Sequence, residues 1–152
     1  IDIVETLAEQ YKWDFDRVAD DQIAMAVEGQ WRSYSITLAW SDFDEILRMI
    51  CTFEMEPPAN QLPRLFELLN LVNDQCWAGA FTFWKEQSLM VYRYGLVLSG
   101  GQYASAEQID TLISNAVSSS ERYYPALQLV VYGEQSPKSA LQVAIAEAYG
   151  RA

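Results

Sequence analysis

At 152 residues the chain is the size of one domain and long enough to bury a substantial core. Its apolar share of 51% excludes intrinsic disorder, and no apolar run approaches the ~20 residues of a membrane span. With 21 acidic residues, 10 basic ones and no histidine, the formal charge is −11, which argues against nucleic acid and anionic membrane surfaces as partners.

The charge is uneven. Residues 1–56 hold 13 acids and 4 bases, whereas residues 57–152 hold 8 and 6. A solvated acidic surface accounts for this, and so does a docking surface for a basic partner. No Arg-led apolar segment reads as a secretion signal, and a first residue of Ile leaves room for a segment trimmed ahead of it. Cys51 and Cys76 lie inside apolar patterns without CxxC spacing, so they read as packed free thiols of a cytoplasmic protein.

Taken in chain order, residues 2–12 read as a helix with Ile3, Val4, Leu7, Ala8 and Tyr11 on one face. Asp2 and Glu5 have the spacing of a capping box. Four alternating runs follow. Trp13, Phe15 and Arg17 oppose Asp14, Asp16 and Val18, and after an Asp20-Asp21 turn Ile23, Met25 and Val27 share one side. Beyond Glu28-Gly29-Gln30, residues 31–40 place Tyr34, Ile36, Leu38 and Trp40 against Ser33, Ser35, Thr37 and Ala39. Residues 45–55 then put Leu47, Met49, Cys51, Phe53 and Met55 on one side. Four strands on short turns imply an antiparallel meander.

Pro57-Pro58 ends the meander, and Asn60 is placed to cap a helix whose face is Leu62, Leu65, Phe66, Leu69, Val72 and Cys76. After Gly79, residues 80–85 and 89–98 form a hairpin around Glu86-Gln87-Ser88, and Gly100-Gly101 ends it. Ser105 with Gln108 caps a third helix carrying Ile109, Leu112, Ile113, Ala116 and Val117. Pro125 predicts a bend at Tyr123-Tyr124-Pro125, ahead of the apolar stretch 127–132. Ser136-Pro137 opens a last helix with Leu141, Ala144, Ile145 and Ala148 inward. The reading is a single α+β domain over 1–152, a two-layer, twisted antiparallel sheet packed against helices, in the order α-ββββ-α-ββ-α-α.

Catalytic chemistry is poorly supplied. Without histidine there is no Ser–His or Cys–His nucleophile and no histidine-ligated metal. The cluster Asp14, Asp16, Asp20 and Asp21 lacks the central Gly and terminal Glu of a calcium loop, and Gly100-Gly101 lacks phosphate-loop spacing. No catalytic, metal or cofactor-binding residue is therefore assigned, and no cofactor is expected. Asn70 and Asn73 read as hydrogen-bonding partners of nearby backbone or a strand edge, and Glu121 with Arg122 as a structural ion pair.

The excess is aromatic: five tryptophans, nine tyrosines and six phenylalanines. The 89–98 strand is apolar on both sides, with Leu89, Val91 and Val97 opposite Met90, Tyr92, Tyr94, Leu96 and Leu98. A half-covered antiparallel sheet needs only one apolar face. The second is then covered by the C-terminal helices or by another subunit, and Trp84, Leu89, Val91 and Val97 form the possible association surface. A second reading places Trp40, Trp84 and Tyr92 around a small-molecule pocket between sheet and helices.

Trp13-Asp14-Phe15-Asp16-Arg17, Phe53-Glu54-Met55 before Pro57-Pro58, and Leu68-Leu69-Asn70-Leu71-Val72-Asn73 resemble the YbjN-like family of bacterial sensory transduction regulators. So do Trp77-Ala78-Gly79-Ala80-Phe81, Leu98-Ser99-Gly100-Gly101 and Glu121-Arg122-Tyr123-Tyr124-Pro125-Ala126. The resemblance implies a fold like that of type III secretion chaperones, which are small acidic proteins that dimerise and bind extended client segments. It supplies no catalytic residues. The expectation is a non-enzymatic, cytoplasmic, protein-binding regulator or chaperone-like adaptor acting as a homodimer, its partner unidentified, with no nucleic acid and no membrane involved.

Overall fold

A computed structural model describes residues 1–11, 13–133 and 135–150, with side chains described as far as Ala146. The elements are α1 (Asp2–Gln10), β1 (Asp14–Ala19), β2 (Gln22–Glu28), β3 (Ser33–Ser41) and β4 (Ile46–Glu54). Then come a 3₁₀ turn (Ala59–Gln61), α2 (Leu62–Gln75), β5 (Ala80–Trp84), β6 (Leu89–Val97), α3 (Ala106–Val131) and α4 (Pro137–Gly150). The α-ββββ-α-ββ-α-α order of the sequence reading holds.

All six strands join one antiparallel sheet in the order β1-β2-β3-β4-β6-β5. Register puts Ile23, Leu38, Met49 and Tyr94 in one cross-strand row, and Met25, Ile36, Cys51, Tyr92 and Phe81 in the next. This is the face the helices cover. Val4 and Leu7 of α1, Leu65, Leu68 and Val72 of α2, Ile109 to Val130 of α3 and Leu141 of α4 join the same buried cluster. Each strand's apolar set reaches it because side chains alternate with period two.

Local chemistry explains most of the boundaries. Ser105 Oγ accepts from Gln108 N at 3.0 Å and Gln108 Oε1 from Ser105 N at 2.9 Å, so the expected capping box forms. Ser136 Oγ accepts from Ser139 N at 3.3 Å at the start of α4. Gly100 and Gly101 have φ of 79° and 74°, left-handed values that glycine adopts without strain. Asn73 bridges α2 to the sheet edge, donating to Phe81 O at 3.0 Å and accepting from Phe81 N at 2.8 Å.

Several expectations are corrected. Helix α1 ends at Gln10, Ile1 occupies its cap position, and Asp2 and Glu5 instead bind Arg17 at 2.7 and 3.1 Å. The expected twelfth residue, Lys12, and the side chain of Ala148 lie outside the described residues. Gln61 rather than Asn60 occupies the cap position of α2, with no capping hydrogen bond from its side chain. Leu68 replaces Phe66 on the buried face, and Phe66 is half exposed, because the helix is rotated to aim Leu65, Leu68, Leu69 and Val72 inward. Pro125 does not break α3, which runs unbroken from Ala106 to Val131. Proline removes one N–H and leaves the carbonyl four residues back unpaired, a local loss that packing on both sides of it can offset.

Candidate protein-docking face

The side of the sheet away from the helices is open. Across β2 and β3 it presents small side chains: Ala24, Ala26, Ser33, Ser35, Thr37 and Ala39. The sequence reading noticed these positions only as the polar side of a strand. Asp14, Asp16 and Glu28 project from the β1–β2 end, while Arg48 and Arg93 project from the other half.

Trp84, Leu89, Val91 and Val97 all fall on this open side. Trp84 pairs with Leu89, and Val91 lies between Thr82 and Thr52 in one cross-strand row. Val97 pairs with Ile46 at the far end of β6 and is 60% exposed. Val91 is fully buried yet stands outside the helix-facing cluster. The C-terminal helices pack on the opposite face with the core, so they are not the cover for this one.

Behind this face, α3 anchors the sheet. Glu121 accepts from the Tyr34 hydroxyl at 2.9 Å and from the backbone N–H groups of Gln30 and Trp31. Burial first, then the Glu121 carboxylate, raise the pKa of Tyr34. The expected Glu121–Arg122 ion pair does not form; Arg122 lies over the Tyr123 ring at 5.7 Å. Adjacent helical residues point in different directions, so the two side chains could not serve one site. Trp31 stacks on Tyr124 at 6.4 Å, and Arg32 sits 5.3 Å from the Phe53 ring.

Two cavities open on the helix side. One, of about 430 Å³, lies between β6 and the first half of α3 and is lined by Met49, Tyr92, Tyr94, Leu96, Leu112 and Asn115, among others. The other, about 390 Å³, is lined by Ile1, Trp40, Leu47, Leu98 and Ile109, among others. The expected grouping of Trp40, Trp84 and Tyr92 in one pocket is thus overturned. Tyr92 and Trp40 belong to separate cavities, and alternation along β5 sends Trp84 to the open face. Sequence reasoning also passed over the exposed rings of Phe43, Trp77 and Tyr103, each in a turn or loop where periodicity carries no signal.

Cys51 is sealed under α3, its sulfur 3.7 Å from Ser120 Oγ, and burial pushes its pKa up to about 12. Both cysteines are free thiols. Among the described residues no group of three or more Cys, Asp or Glu side chains could hold a metal ion.

With that geometry in place, comparison with known proteins is decisive for kinship. Residues 1–129 match the profile of the family described as "YbjN: Putative bacterial sensory transduction regulator". The chain belongs to the YbjN family. Its fold is also similar to that of a solved structure described as "Crystal structure of YbjN, a putative transcription regulator from E. coli", with a TM-score of 0.54 and 11% sequence identity. That likeness covers 78% of this chain and 83% of the other. No curated protein matches the sequence. The family description makes this a chain of regulator type, and no helix among the described residues is long and apolar enough to cross a membrane.

Proposed function

We propose that this YbjN-family chain is a non-enzymatic cytoplasmic regulator that works by binding protein through the open face of the β5–β6 hairpin. The observation that carries the reading is the apolar set Trp84, Leu89 and Val97, seated around buried Val91, on the face that no helix among the described residues covers. Flat neighbouring positions on β2 and β3 let another surface approach closely. The first occupant is a second copy of the chain. Arg93 at one end of the face and Asp14, Asp16 and Glu28 at the other would meet in reverse in a two-fold arrangement. A chaperone-like hold on a client would use the same surface. The transcriptional role that the E. coli relative carries in its description would, in this chain, run through a protein partner, since a charge of −11 opposes direct contact with DNA.

The test is solution mass by light scattering across concentration, for the native chain and for Val97→Glu. Val97 is exposed, so the substitution leaves the core alone. A dimer that Val97→Glu converts to monomer supports the reading. A strictly monomeric native chain that also recovers no partner sensitive to Val97→Glu removes it.

A further inference from the structure

The cavity between β6 and the N-terminal half of α3, about 430 Å³, falls within the roughly 300–1,000 Å³ range of small-ligand sites. Its lining divides by chemistry. Met49, Leu96 and Leu112 supply apolar wall, Tyr92 and Tyr94 supply aromatic rings, and Glu107 supplies a carboxylate. Among the described residues that line it, none is Lys or Arg. Arg93, between the two tyrosines in sequence, is sent to the opposite face by strand alternation.

Some of the polar lining is already engaged. Tyr92 Oη accepts from Asn115 Nδ2 at 3.4 Å, and Ser105 and Gln108 close the capping box. The Tyr94 and Thr111 hydroxyls and the Glu107 carboxylate make no hydrogen bond or ion pair among the described residues. The cavity therefore offers one negative charge, two hydroxyls and π-faces beside an apolar floor. An anion would meet the carboxylate, and a neutral apolar molecule would leave it unused. A cation satisfies both the carboxylate and the rings.

We propose that this cavity binds a small organic cation, an ammonium group on an apolar or aromatic body. The ammonium sits by Glu107 and Tyr94, and the body lies against Met49, Leu96 and Leu112. The site is on the helix-covered side of the sheet, so it stands or falls separately from the docking face. Glu107, in the first turn of α3, also favours the helix dipole, but that role gives no selectivity among ligands.

The test uses the full chain and three probes of matched size: 2-phenylethylammonium, neutral 2-phenylethanol and anionic phenylacetate. Binding is followed by the NMR signals of the methionine methyl groups. The cation should shift Met49 saturably while leaving Met25 and Met55 in place. It should bind about two- to fivefold more tightly than the alcohol, the margin expected of a solvent-exposed charge pair, and phenylacetate should not saturate. Glu107→Gln should erase the margin without changing the affinity for the alcohol. Thr111→Trp, at an exposed helix position, should fill the mouth and abolish binding. Equal affinity for all three probes, no saturable shift at Met49, a margin that survives Glu107→Gln, or cation binding undiminished by Thr111→Trp would overturn the proposal.

Discussion

On the inner side of α3, the Glu121 carboxylate holds the Tyr34 hydroxyl and the turn between β2 and β3 at once. Gly29 is part of the arrangement, because a Cβ there would run into Glu121 and the Tyr34 ring. Tyr34 is 1% exposed, so Glu121→Ala leaves a buried hydroxyl without its partner. The expected loss is ~2–3 kcal/mol in urea unfolding, and a double-mutant cycle with Tyr34→Phe should show the two are coupled. Asn73 was legible as a backbone partner from its place among leucines. Glu121 was not: its partners lie on a turn some ninety positions earlier, as the separations of 87 to 91 residues show, and no local pattern reaches that far.

Among the elements, α3 departs furthest from its sequence. A 26-residue helix with Pro125 inside it leaves the Glu121 carbonyl without an intrahelical donor. Buried Tyr123, Ala126, Leu127 and Val130 on both sides of the proline keep the helix seated. Because the helix is continuous, Pro125→Ala restores one hydrogen bond at a position already helical, and stability should rise by ~1–3 kcal/mol, measured by denaturant midpoint. A true bend would show no gain. The strands, by contrast, were legible almost to their ends, because period-two alternation and short turns are local signals. That β6, not β5, would lie beside β4 was not legible, since pairing across α2 depends on non-local fit. The candidate face was readable in its residues and unreadable in its surroundings: the doubly apolar strand was visible, and the placement of the described helices on the other face was not.

For the whole molecule, the proton inventory sets the response to alkali. Burial raises the pKa of Tyr34, Tyr92, Tyr123 and Cys51, the last from 9.0 to about 12. In each case the protonated, neutral form is the one the fold keeps. The unfolded chain releases these protons first, so stability is fully present below about pH 9 and falls as pH rises towards 12. Each ionising group contributes up to ~1.4 kcal/mol per pH unit within its window. Urea midpoints across that range should decline, and more gently in Tyr34→Phe.

The strand order also sets a sequence of events in folding. The β1–β4 meander closes through short turns, whereas pairing of β6 with β4 closes a longer loop that contains α2 and β5, so it is expected to form later. Until it does, Ile46–Glu54 is an unprotected edge carrying Leu47, Met49, Cys51 and Phe53. Aggregation is therefore expected to be most favoured before the hairpin docks, and the net negative charge of the first half opposes association of copies at that stage.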